Sequence, residues 1–337
     1  MDSNIIVDRL IVHVLDISVG TPVLANLEYN LDSNIKEYIE NHILKIFKDI
    51  DLKKVYFKND DNNIKKNCLV LKNKKEDFVD VSKDIASMIY FFINQNPDIP
   101  SADLVCTLFE KDGCEYFGIL KFNYKESYIH FIQEDDGGRD VRIIKQKTAL
   151  PTTSQKIDEC IIINMNDLSI LLKEKKYEID GEKQLYLSKK ILQSTEVLSD
   201  KEKVDIINKA SKKVVKKYCN DDVTKMAEIR NAMAKSFEDS STINIEEIGD
   251  KVFTGNLEIQ KIYAEEIEKQ GLKEKSVTVN ENVEKRINKK QRLVTDDGIE
   301  IKLPTSYMTR KDKVEFVTNI DGTISILLKN INEIKDK

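Results

Sequence analysis

Three apolar, aromatic-rich runs follow one another closely, Leu104–Phe109, Tyr116–Phe122 and Tyr128–Ile132. Lys111-Asp112-Gly113 separates the first two, and a charged turn separates the next. Runs this short, rich in β-branched and aromatic residues and cut by turn formers, suit antiparallel strands and are too brief for helices. They predict a β-meander. Asp135-Asp136-Gly137-Gly138 reads as the next hairpin turn and Val141–Ile144 as the returning strand. Upstream, Ile5-Ile6-Val7 and Leu10 to Leu15 read as a long, mostly buried strand. Asp32-Ser33 then opens a helix whose apolar stripe is Ile35, Ile39, Ile43, Phe47 and Ile50. A second helix runs from about Ser82 to Asn94, stopped by Pro97. Pro151 interrupts this pattern, and Lys156 to Ile163 resumes it with one more strand.

From about Ser199 the apolar period becomes helical, with helices expected near 200–219, 222–238, 244–252 and 255–270 and Gly271 as a stop. The tail returns to strand. Arg292–Thr295 with Ile299–Leu303 reads as one hairpin, and Val314–Thr318 with Thr323–Leu328 as a second. The expected class is α+β: a mixed α/β N-terminal domain over 1–190, a helical middle region over 191–272 and a small β-hairpin C-terminal region over 273–337.

The 54 Lys+Arg and 59 Asp+Glu leave a net charge of −5, so any polyanionic partner must be met by local basicity. Such basicity exists. Residues 182–220 and 269–292 each carry a net +5, and they flank a net −7 block at 237–268. The longest uncharged window, Ile85 to Pro97, is too short and too polar at its end to span a membrane. Asp2, Asp8 and Arg9 interrupt any secretory leader, and the expected location is the cytoplasm. Five cysteines without a CxxC pair, together with three histidines, favour reduced thiols over a disulfide framework or a zinc site.

The strongest binding pattern is on the helix near 200–219. Val204, Ile207, Ser211, Val214 and Tyr218 cluster on one face at helical spacing, and Lys209, Lys212, Lys213 and Lys216 point the other way with Lys217 beside them. A row of ammonium groups can track a phosphate backbone and release its counterions, whereas Lys lacks the bidentate fork of Arg that reads bases. A solvated helix face is the plain alternative. The second basic block contributes Lys273, Lys275, Lys285, Arg286, Lys289, Lys290 and Arg292, with no aromatic partner nearby for stacking on single strands. Phosphate-loop, nucleophile-elbow and HExxH patterns are missing from the sequence. Asp297, Glu300 and Lys302 form a D…ExK string like that of metal nucleases, although Gly298 between the carboxylates suggests a hairpin turn. His13 and His130 sit in strand-like runs and read as hydrogen-bonded strand residues rather than general bases.

Several runs taken in order resemble the bacterial nucleoid-associated protein family known as NdpA or YejK-like. They are Ile11-Val12-His13-Val14-Leu15-Asp16, Ile99-Pro100-Ser101-Ala102-Asp103-Leu104, Ile119-Leu120-Lys121-Phe122-Asn123-Tyr124 and Leu150-Pro151-Thr152-Thr153-Ser154-Gln155-Lys156-Ile157. Val294-Thr295-Asp296-Asp297-Gly298-Ile299-Glu300-Ile301, Asp321-Gly322-Thr323-Ile324-Ser325-Ile326 and Lys329-Asn330-Ile331 complete the set. The resemblance implies a cytoplasmic bacterial protein that associates with the nucleoid, binds DNA and carries out no known catalysis. It supplies no catalytic residues. The expected function is sequence-independent binding of double-stranded DNA through Lys209, Lys212, Lys213, Lys216, Lys217, Lys285, Arg286, Lys289, Lys290 and Arg292, without cofactor, metal or membrane. A homodimer is compatible with these features. The alternatives are an adaptor recruited to the nucleoid by a DNA-handling protein, for which the acidic 237–268 block would serve, and a metal-dependent nuclease.

Overall fold

The computed structural model describes residues 4–135, 138–220, 222–240, 242–279, 283, 291–307 and 310–333. The chain forms two compact units, Met1–Val197 and Leu198–Lys337, in an α+β architecture.

The first unit begins with β1 (Ile5–Leu15), α1 (Ser33–Phe47), β2 (Lys53–Val55), α2 (Asn63–Asn73), α3 (Phe78–Asn94), β3 (Ala102–Lys111) and β4 (Cys114–Asn123). It continues with β5 (Lys125–Asp135), β6 (Gly138–Ala149), β7 (Glu159–Asn164), β8 (Ile170–Lys173), β9 (Lys176–Ile179), β10 (Glu182–Leu185) and a π-helical turn, Leu187–Ile191. An antiparallel sheet in the order β1-β3-β4-β7-β8-β2 is its centre. Helices cover both faces. Leu104, Cys106, Leu108, Phe117, Ile119, Ile161 and Ile163 share one core with Ile64, Leu71, Phe78, Ile85 and Ile89 of α2 and α3. On the other face Val105, Phe109, Leu120, Phe122 and Ile162 pack with Ile39, Ile43 and Ile46 of α1. Because both faces are buried, these strands read as unbroken apolar runs rather than as an alternation. A register shift between Val7 and Arg9 of β1 lets Ile5, Val7 and Leu10 join the α1 core while Ile11 and Leu15 join the other. Gly118 is packed tightly: a Cβ there would lie 3.0 Å from Thr107 Cγ2 and 3.2 Å from Phe109 Cε1.

The meander expectation holds for β3 and β4 and fails for the third run. Tyr128–Ile132 lies in β5, which pairs with β6 as a separate two-stranded ribbon, and β7 is what occupies the free edge of β4. Composition cannot distinguish these outcomes, because an apolar strand is apolar whether or not its own unit covers it. Asp136 and Gly137 of the expected turn lie outside the described residues. α3 begins at Phe78, earlier than expected, because Phe78 and Val81 extend the stripe of Ile85 and Ile89 by a turn. α2 was not expected. Only Ile64, Cys68 and Leu71 of its eleven residues are buried, and the Asn62 side chain caps it by accepting from Ile64 and Lys65 N–H.

The second unit contains α4 (Asp200–Tyr218), α5 (Val223–Ser240), β11 (Thr242–Asn244), α6 (Ile245–Val252), α7 (Leu257–Lys269) and β12 (Ser276–Thr278). Two hairpins follow, β13 (Gln291–Val294) with β14 (Glu300–Leu303) and β15 (Val314–Thr318) with β16 (Ile324–Leu328). α4 packs on α5 and α7, and α6 on the same two helices. Tyr263 of α7 is fully buried, its ring centroid 5.6 Å from that of Phe253. Gly271 stops α7 as expected, with φ at +102°. Ala227 of α5 meets Leu303 and Val314, so the hairpins close on that helix. Among the described residues no helix is long and apolar enough to cross a membrane.

Candidate nucleic-acid interface

α4 is specified at both ends. Ser199 Oγ accepts from Glu202 N–H at 3.2 Å while the Glu202 carboxylate accepts from Ser199 N–H at 2.8 Å, closing a reciprocal cap. Lys216 and Lys217 in the last turn complement the negative end of the helix dipole. Val204, Ile207, Ala210, Ser211, Val214 and Val215 are buried, and Ser211 satisfies its hydroxyl by donating to Ile207 O at 2.6 Å. Tyr218, expected on this face, is instead exposed at the helix terminus, where Lys217 Nζ lies 5.1 Å from its ring centroid.

Lys209, Lys212, Lys213, Lys216 and Lys217 are all exposed, opposite the buried face. They are not equivalent. Lys213 Nζ donates to both carboxylate oxygens of Glu266 on α7, at 2.8 and 2.9 Å, which neutralises it and holds the Glu266 carboxyl below its usual range. Among the described residues Lys209, Lys212 and Lys216 make no ion pair. They rise along about 10 Å of helix axis, a length over which duplex DNA presents about six phosphates.

The second basic block is only partly visible. Lys285, Arg286, Lys289 and Lys290 lie outside the described residues. Lys275 pairs with Glu246 at 2.8 Å, and Arg292 on β13 pairs with Glu300 across the hairpin on β14. Glu300 is also 3.8 Å from Lys302. Two of the three groups of the nuclease-like string are therefore engaged in cross-strand and same-strand pairing, while Asp297 sits in the turn beside Gly298, whose φ is +86°. Among the described residues no three His, Cys, Asp or Glu side chains are grouped to hold a metal ion. Glu246, Glu247, Glu265 and Glu266 of the acidic block each pair with a lysine, so part of that block is internal counter-charge.

His13 is buried on β1. Ala25 N–H donates to its Nδ1 at 3.1 Å, which leaves the proton on Nε2, 2.9 Å from Ser82 Oγ, while Ser82 donates to Val79 O at 2.6 Å. Burial, reinforced by Lys83, lowers its pKa to about 4, so the ring stays neutral. Sequence reasoning missed a second polar network inside the first unit. Lys121 Nζ donates to Glu159 Oε2 at 2.7 Å and to Asn123 Oδ1 at 2.6 Å, and Tyr177 donates to the same Glu159 oxygen at 2.8 Å. Its signal in the sequence was one lysine inside the apolar Ile119–Phe122 run.

A family model for nucleoid-associated protein YejK matches residues 11–335. No curated protein matches the chain.

Proposed function

We propose, since the chain belongs to the nucleoid-associated protein YejK family, that it acts at the nucleoid by binding double-stranded DNA along the phosphate backbone without reading its sequence. The observation that carries this is the lysine stripe of α4. Lys209, Lys212 and Lys216 are exposed and unpaired among the described residues, and they are fixed in direction by a capped helix whose opposite face is buried. Lys217 adds charge at the same end, and Lys213 joins when phosphate competes with Glu266. In sequence Lys285, Arg286, Lys289, Lys290 and Arg292 supply a second cluster. Ammonium groups are point charges, suited to phosphate oxygens and poor at discriminating base edges. With a net charge of −5 over the whole chain, contact with DNA depends on such local clusters. A binding role of this kind requires no cofactor and no catalytic group.

Binding isotherms on unrelated duplexes across a salt series test the reading. Similar affinities that fall steeply with salt are expected. Absence of binding at low salt would contradict direct contact and favour an adaptor that reaches the nucleoid through a DNA-handling protein.

A further inference from the structure

α5 carries an arginine in the middle of its buried face. At helical period Met226, Ala227, Met233 and Ala234 stand one turn to either side of Arg230, and all four are buried. Arg230, itself half-buried, interrupts that apolar stripe. Glu228, the nearest acid along the helix, is taken by Lys225 at 2.8 Å. Among the described residues Arg230 makes no hydrogen bond, ion pair or ring contact, and burial pulls its pKa below the usual guanidinium value. The other described arginines differ. Arg9, Arg139, Arg142, Arg292 and Arg310 pair in turn with Glu28, Glu134, Asp140, Glu300 and Asp312.

The surroundings of Arg230 select what would pair with it. Ala227, one turn before it, packs with Leu303, Val314 and Tyr307, which brings Arg230 to the seam between α5 and the C-terminal hairpins. Lys313, next to Val314, sets its Nζ 5.9 Å from the Tyr307 ring centroid and makes no ion pair among the described residues. A charge drawn out of water without a counter-charge destabilises the fold that holds it, so a guanidinium kept in an apolar stripe points to an anion from outside. Its planar fork donates two parallel bonds to phosphate oxygens, and a second cation beside it suits a phosphate better than a singly charged carboxylate. We propose that Arg230, with Lys313 beside it, is the receptor for a phosphate group entering at this seam. The site uses none of the α4 lysines and does not rest on the reading of that stripe.

Titrating inorganic phosphate into the full chain at constant ionic strength, with chloride as the reference, tests this through the thermal unfolding midpoint. In the parent, phosphate at about ten times its dissociation constant should raise the midpoint by about 3 °C or more over chloride. Arg230→Met should match or exceed the parent in chloride, because it removes an unpaired charge, and should lose the phosphate response. Arg230→Lys, which keeps the charge without the fork, should retain only part of it. Lys209→Gln/Lys212→Gln/Lys216→Gln should respond as the parent does, which separates this site from the stripe. Duplex binding identifies the source of the phosphate. Weaker binding by Arg230→Met on every duplex assigns the site to the DNA backbone, and parent-like binding assigns it to a free phosphorylated compound. A parent without a phosphate response, an Arg230→Met variant that responds like the parent, or one that unfolds well below the parent in chloride would each overturn the proposal.

Discussion

Lys121 and Lys209 are the same side chain in opposite settings. In the first unit Lys121 is buried within a strand and held by Glu159 and Asn123, and Lys173 is buried against Asp49 at 2.8 Å. In the second unit Lys209, Lys212 and Lys216 stand in water on a helix with no ion-pair partner among the described residues. A lysine with a partner at hydrogen-bond distance in the interior has its charge committed to the fold, whereas an unpartnered one on a rigid face keeps its charge available to a polyanion. The charge that matters for binding is therefore the unpaired remainder, and the chain total conceals it. Lys213, exposed yet tied to Glu266, stands between the two cases.

The comparison breaks most visibly at Lys121. Lys121→Met strands the Glu159 carboxylate without its cation, and the folded state should lose about 3–5 kcal/mol. Adding Glu159→Gln should recover part of that loss, as measured by denaturant midpoint. A single variant as stable as the parent would show that the buried pair does not hold this unit together.

Two buried groups give the first unit a pH dependence. His13 in the folded chain titrates near pH 4, below the usual histidine range of about 6.5. Its stabilising contribution is complete above about pH 6.5 and declines as pH falls toward 4, because the unfolded chain takes up a proton that the folded chain refuses. Burial opposes ionisation of Asp49, but Lys173, Asp51 N–H and Lys156 outweigh it and hold the carboxyl below its usual value. That contribution is present above the ordinary carboxylate range and is lost only in more acidic solution. An NMR titration in which the His13 ring is still neutral at about pH 5.5 is expected, and protonation near 6.5 would contradict the burial argument.

Smaller effects separate the exposed lysines. Glu266→Gln releases Lys213 and should change stability by about 0.2–1 kcal/mol while tightening DNA binding. Unchanged or weaker binding would remove Lys213 from the proposed interface. Lys209→Gln, Lys212→Gln and Lys216→Gln should each change stability by about 0.5 kcal/mol or less, since Gln keeps helix propensity and the buried face is untouched. A large loss would mean that these ammonium groups have partners within the fold.

The four helices of the second unit were legible because each carries an apolar stripe at helical period, and Gly271 marks the end of α7. Both C-terminal hairpins were legible from their Asp-Gly turns. What could not be read is long-range choice. Tyr128–Ile132 looks like Leu104–Phe109 in composition, and only the tertiary fold decides that one enters the sheet and the other forms a ribbon. For the candidate site, the direction of the lysine stripe followed from period alone, but the capture of Lys213 by Glu266, 53 residues away, did not. Tyr218 is exposed on its expected face because helix period assigns a face and says nothing of whether a neighbouring element covers the last turn.

The most direct test of the account is the salt dependence of DNA binding by the triple variant Lys209→Gln/Lys212→Gln/Lys216→Gln beside the parent. The stripe reading predicts weaker binding on every duplex alike, with the slope of log affinity against log salt reduced by about 0.9 for each phosphate that the variant no longer neutralises. Parent affinity and parent slope in the triple variant would contradict it.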